Sequence, residues 1–188
     1  TIVMLSLFAL TYLITIHFFK KNLEKSIQQE KEILAESISV TIFNYLQEPL
    51  NTLQDAKNFL LNQPFHTSFK THMQWVFNHY RFFESLQFLD EKGILKARIP
   101  ENKSLEGTDF SLSDFFLFSH ATQSAFWSSS FISAETGNPT VILSVPYKKG
   151  VLAGKINLSK LSEQLQGLKQ SKGSFIALLD NHNVFLSH

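Results

Sequence analysis

Residues 128–157 read SSSFISAETGNPTVILSVPYKKGVLAGKIN. Three runs are separated by two turn signals, a pattern that predicts consecutive antiparallel strands. The first run, 128–133, is expected to be a strand. Alternation along it puts Trp127, Ser129, Phe131 and Ser133 on one face, and Ser128, Ser130 and Ile132 on the other. Ala134-Glu135-Thr136-Gly137-Asn138-Pro139 then turns the chain into a strand over 140–147. Lys148-Lys149-Gly150 turns it again into a strand over 151–157. Leu158, Leu161, Leu165 and Leu168 follow at helical spacing, which predicts a helix over 158–168.

Upstream, Phe69, Met73, Val76, Phe77 and Tyr80 form one apolar face and predict a helix over 69–81. The period then changes to two. Residues 84–90 alternate Leu86 and Phe88 with Ser85 and Gln87, as a half-buried strand does. Glu91-Lys92-Gly93 is a hairpin turn with glycine where positive φ is needed. Residues 94–99 return as the second strand, and Pro100 ends it. After the loop Glu106-Gly107-Thr108-Asp109-Phe110-Ser111, a helix capped by Ser111 or Ser113 runs to about Gln123. These elements predict an α+β module over 65–168 with a five-stranded antiparallel sheet. After Gly173 the hairpin pattern begins again, so 173–188 reads as the start of a second, truncated module of the same kind.

Residues 20–62 carry Leu23, Ile27, Leu34, Ile38, Ile42, Leu46, Leu50, Leu53 and Leu60 mostly three, four or seven apart. That is one stripe of a long stalk helix, expected to kink or restart near Pro49. Its lower half has little of its own chain to pack on, so a parallel homodimer through Ile27, Leu34 and Ile38 is expected. Residues 1–19 hold no Asp, Glu, Lys or Arg, and Lys20-Lys21 ends the run. About 20 apolar residues is what a helix needs to cross a bilayer. A transmembrane helix is therefore expected over 1–19. The chain starts at a threonine and stops inside a strand pattern, and it is read as a piece of a longer protein.

The formal net charge is +1 and cysteine is absent. The first offers no basic surface for nucleic acid; the second removes disulfides, thiolate metal sites and a cysteine nucleophile. The seven histidines include no closely spaced pair suited to zinc. No nucleophile elbow, phosphate loop or paired carboxylate is present. No cofactor, no metal and no catalytic activity are expected of this region.

Five segments in this order resemble the double-Cache family of extracytoplasmic, PAS-like sensor domains. They are Leu89-Asp90-Glu91-Lys92-Gly93, the loop from Glu106 to Ser111, the stretch from Ser130 to Pro139, Leu143-Ser144-Val145-Pro146, and the stretch from Gly150 to Ser159. The resemblance implies a receptor in a bacterial inner membrane, with residues after about 20 in the periplasm or outside. It implies small-molecule sensing passed down the stalk to a cytoplasmic output domain beyond this chain. The 154–165 stretch looks more like histidine kinases and cyclic-di-GMP enzymes. The alternatives are a chemotaxis transducer or a membrane-anchored binding protein without output.

The family's distal pocket lies between the crossover helix and the third and fourth strands. Carried onto this chain, it points to Asp114, Phe116, Trp127, Ser129, Phe131 and Ser133. Aromatic walls with a few hydroxyls suit a small-molecule site. Amino-acid-binding members carry an arginine on the crossover helix and an aspartate on the third strand. This chain has neither, and Ser133 stands in the aspartate's place. A bidentate arginine is the natural partner of a carboxylate, so the resemblance implies a neutral or weakly polar ligand, not a free amino acid.

Overall fold

A computed structural model describes residues 2–61, 65–167, 178–179 and 185–187. Its contacts divide the chain into two compact units, Thr1–Thr41 and Ile42–His188.

The first unit is helical, part of α1 (Ile2–Leu61). Leu23 and Ile27 of the expected stripe are exposed in the single chain, and Leu34 and Ile38 are half-buried. Among the described residues, no helix is long and apolar enough to cross a membrane. Most side chains of 1–10, on which the expected span depends, lie outside the described residues.

In the second unit α1 continues through Pro49, so of the expected kink or restart the helix does not restart there. Proline removes the donor to the Tyr45 carbonyl, but Leu53, Ala56 and Leu60 beyond it are buried and hold the last turns in place. α2 (Phe65–His79) follows, burying Phe69, Met73 and Val76. β1 (Phe83–Leu89) and β2 (Leu95–Ile99) form the expected hairpin. Asp90 builds the turn by accepting from the Lys92 and Ile94 amides at 2.9 and 3.0 Å. Gly93 has φ +80°, and a Cβ there would meet the Ser111 Cα at 2.6 Å, so glycine is required twice over.

α3 (Asp114–Thr122) crosses to the other side of the sheet. Ser113 occupies its N-cap, but its side chain makes no capping hydrogen bond. Then come β3 (Phe126–Trp127), β4 (Phe131–Ile132), β5 (Pro139–Tyr147), β6 (Gly150–Asn157) and α4 (Ser159–Gly167). Strand order is β2-β1-β6-β5-β3, with β4 also pairing β5. The sheet has six strands where five were expected: of the anticipated strand over 128–133 only Phe131–Ile132 pairs as a strand, β4, and Phe126–Trp127 just before it forms the additional β3. β7 (Leu178–Leu179) and β8 (Phe185–Ser187) pair antiparallel, as the expected second hairpin requires; its turn, 181–183, lies outside the described residues.

The register separates the two faces of the sheet, since cross-strand partners share a face. Leu86 pairs Ile99 and Gly154, and Gly154 pairs Leu143. This face meets the end of α1 and α2: the Tyr147 hydroxyl donates to the Leu60 carbonyl at 3.2 Å, and the Phe69 ring lies 5.8 Å from Phe88. On the opposite face Leu89, Leu95, Val151 and Ala153 pack against Phe115 and Phe116 of α3. The Ser144 hydroxyl fastens α3 down by donating to the Phe115 carbonyl at 2.7 Å.

Candidate functional site

On the α3 side the apolar cluster stops partway along the sheet. Beyond it, the register places Ser85 opposite Lys155, Lys155 opposite Ile142, and Gln87 opposite Arg98. Two cations from β2 and β6 are thus built into a sheet face. Buried lysine and arginine require partners, and two carboxylates supply them. Glu84 comes from β1, where the β1–β6 register shifts between Phe83 and Ser85. Glu135 comes from the turn after β4.

The contacts form a continuous network. Arg98 Nη2 donates to both Glu135 carboxylate oxygens, at 2.7 and 2.6 Å, and Nη1 donates to the Pro100 carbonyl at 3.0 Å. Lys155 Nζ donates to Ser133 Oγ at 3.0 Å. It stands 3.8 Å from Glu84 Oε2, 4.0 Å from Glu135 Oε2, and 5.7 Å above the Phe131 ring. Thr136 and Thr140 hydroxyls donate to Glu84 Oε1 at 2.7 and 3.3 Å. The Arg98, Glu84 and Lys155 side chains are 6, 5 and 12 % exposed, but Glu135 is 40 % exposed. Two buried atoms, Arg98 Nε and Glu84 Oε2, have no hydrogen-bond partner among the described residues. The four charges sum to zero, the condition under which ions tolerate such burial.

The expected site residues do not all meet here. Ser133 and Phe131 do, through Lys155. Trp127 does not share their face. It pairs Leu143, whereas Phe131 pairs Thr140. Between those pairs three residues, 128–130, therefore oppose two on β5, Val141 and Ile142, the count of a one-residue bulge. Ser128 makes the bulge: its amide donates to the Ile142 carbonyl at 2.8 Å, and its Oγ accepts from the Ile142 amide at 2.9 Å. The expected face of Trp127, Ser129, Phe131 and Ser133 is corrected accordingly, because one extra residue reverses every later side chain. Ser129 is exposed between β3 and β4. Asp114 is exposed in the first turn of α3. Phe116 is buried in the apolar cluster and stacks on His120 at 5.2 Å.

Sequence reasoning missed Arg98, Lys155, Glu84 and Glu135. A signal was available: Arg98 and Lys155 each interrupt an otherwise apolar strand. A separate cavity of about 400 Å³ opens along the outer edge of β2, lined by Phe69, Lys70, Leu95–Ile99 and residues of the following loop. Arg98 is among its lining residues, and Phe131 and Ser133 are not. Among the described residues no group of His, Asp or Glu is placed to hold a metal ion.

The Cache domain family matches residues 18–188. Similar solved structures include the ligand-binding domain of the Pseudomonas aeruginosa amino acid chemoreceptor PctC in complex with GABA. It is 22% identical with a TM-score of 0.69, covering 84% of this chain and 74% of that one. The ligand-binding domain of the Campylobacter jejuni chemoreceptor Tlp3 with L-valine is 12% identical with a TM-score of 0.75, covering 90% and 74%. The Pseudomonas fluorescens chemoreceptor CtaA domain with L-alanine is 17% identical with a TM-score of 0.66, covering 81% and 68%. No curated protein sequence matches.

Proposed function

Because the chain belongs to the Cache domain family, we propose that it is the extracytoplasmic small-molecule sensor of a bacterial membrane receptor. The observation that carries the reading is the charged network around Arg98 and Lys155 on the α3 side of the sheet. Its partly apolar setting beside Phe131, with unsatisfied buried atoms, is the chemistry of a small-molecule site rather than of a plain core. The region itself is read as non-catalytic and working without a cofactor.

The ligand needs reconsideration. Free amino acids were set aside because the crossover helix and third strand carry no charged anchors. Charged groups from β1, β2 and β6 support a second reading in which they serve as such anchors. Receptors of this fold were solved with GABA, L-valine and L-alanine. At 12–22% identity this supports a small, charged-group-bearing ligand and no particular compound. Phe131 and Ser133 remain in the proposed site; Trp127, Ser129, Asp114 and Phe116 are proposed only as its surroundings.

The uncharged stretch 1–19 followed by Lys20-Lys21 supports an inner-membrane anchor with the following residues outside. Exposed Leu23 and Ile27 support pairing of α1 with a second copy through Ile27, Leu34 and Ile38. Ligand state would pass along α1 to an output domain, a histidine kinase or cyclic-di-GMP enzyme on the resemblance of 154–165. A chemotaxis transducer is the second reading, favoured by the solved neighbours. Residues 173–188 are proposed to open a second module.

The test is a thermal-shift screen of small metabolites against the purified chain and Lys155→Met. A compound that raises the wild-type midpoint by several degrees and leaves the folded variant unmoved supports the site. If every active compound stabilises the folded variant equally, this site is wrong.

A further inference from the structure

Glu135 holds two buried cations from a position that is itself 40 % exposed. We infer that Glu135 is a displaceable internal occupant of an anion site, and that the ligand brings a carboxylate which takes its place on Arg98 and Lys155. The inference rests on the reading of this cluster as the sensing site, and adds the ligand's class and the means of opening.

Three observations carry it. The first is incomplete use of the guanidinium. Arginine offers Nε and Nη2 side by side as a fork that fits two carboxylate oxygens. Glu135 engages only Nη2, with both of its oxygens, while the adjacent Nε is buried and unpartnered. A carboxylate free of a tether can engage both tines.

The second is the ease of release. The Ser133 amide donates to the Asn138 carbonyl at 2.9 Å, and the Gly137 amide donates to the Ser133 carbonyl at 2.8 Å. These bonds close the turn without the Glu135 side chain. Glu135 can rotate into water while the turn's own backbone bonds remain intact.

The third is charge. Exchanging Glu135 for a ligand carboxylate keeps the buried sum at zero, because Glu84 stays beside Lys155. A neutral ligand displacing Glu135 would leave one buried positive charge unbalanced, which is costly. A cationic ligand would make that imbalance worse.

Propionate is the end of a glutamate side chain and serves as the probe; propionamide is its uncharged counterpart. Calorimetry on the whole chain compares wild type with Glu135→Gln. Removing the occupant raises apparent affinity by the inverse of the open fraction. If Glu135 is in place about nine-tenths of the time, Glu135→Gln binds propionate about tenfold more tightly than wild type. Propionamide gains nothing, and adding Arg98→Met to Glu135→Gln abolishes the propionate gain. Equal propionate affinity in the two proteins, no binding by either, or an equal gain for propionamide overturns the inference. Should Glu135→Gln fail to fold, Glu135→Asp keeps the charge but shortens the reach, and must show a smaller gain in the same direction. The two proposals fail separately. Active compounds that depend on Lys155, with no propionate gain in Glu135→Gln, leave sensing standing and remove the displacement. A propionate gain without any small molecule acting on wild type does the reverse.

Discussion

The two faces of one sheet are built on different terms. Towards α1 and α2 the strands present Leu86, Leu143, Val145, Leu152 and Ile156, all buried, with Tyr147 reaching a helix carbonyl. Towards α3 the face changes character along its length, from the Phe115, Phe116 and Val151 cluster to the ion network of Arg98, Lys155, Glu84 and Glu135. The same strands supply both, since alternate residues of β6 point opposite ways. One face gains from transfer of apolar area out of water. The other balances desolvation against pairing, and on the proposed reading a ligand would change that balance. A sensor needs both: a side that does not move and a side whose favoured state depends on what is bound.

The largest effect expected separates the two faces by charge. Lys155→Met leaves the Glu84 carboxylate, 5 % exposed, without its cation. Stranding a buried charge costs about 3–5 kcal/mol, read as a fall in the urea midpoint. Adding Glu84→Gln removes the stranded charge and should restore stability to within about 1 kcal/mol of wild type, since replacing a whole buried pair is often nearly neutral. If single and double variants are equally unstable, Lys155 acts by packing and the contrast between faces weakens.

On the other face Leu152→Ala should cost about 2–5 kcal/mol, the range for a fully buried leucine. No second substitution of the charge-compensating kind should recover it. The apolar side is expected to lose stability without changing which class of ligand is accepted, so the propionate preference of Glu135→Gln should survive the addition of Leu152→Ala at a temperature where the protein remains folded.

The same contrast explains what could be read from the chain. The long helix, the first hairpin and the paired strands β5 and β6 were legible because period and turn chemistry agree there. Asp90 and Gly93 serve the turn that their types suggest, and the apolar run from Val151 announces a central strand. The polar side was legible only in part. Its composition could be read from Arg98 and Lys155 inside apolar strands, but not the pairing, because Glu135 and Arg98 are 37 residues apart. Register was the other loss. The Ser128 bulge uses a side-chain oxygen where a strand would use its backbone, and nothing in three consecutive serines says which one does so. Pro49 shows the same override at the level of the helix: burial of Leu53 and Leu60 outweighs one missing donor.

Smaller effects probe the attachment of α1. The Tyr45 hydroxyl donates to the Asn157 carbonyl at 2.6 Å. Burial, then the negative charges of Glu48 and Glu163, push its pKa from 10.0 up to about 12. A folded-state pKa above that of the unfolded chain means that this stabilisation is complete below about pH 10 and is lost as pH rises towards about 12. Between those limits wild type should lose about 1–2 kcal/mol, allowing for partial screening, beyond what Tyr45→Phe loses. Parallel alkaline unfolding curves for the two proteins would show that burial against the sheet domain does not hold the phenol in its neutral form.

The smallest effect is expected at Tyr147. Its hydroxyl bond to the Leu60 carbonyl is longer, 3.2 Å, while its ring packs edge-on against Phe88 at 5.6 Å. Tyr147→Phe keeps the ring contact and removes only the hydroxyl. A neutral buried hydrogen bond contributes about 0.5–1.5 kcal/mol net, and the length here points to the lower half. Tyr147→Leu should cost more, because it also removes the aromatic contact, worth about 0.5–1.5 kcal/mol beyond area. If Tyr147→Phe proved the costlier of the two, the apolar face would depend on a polar tie more than on packing, and the division between the two sides of the sheet would have to be redrawn.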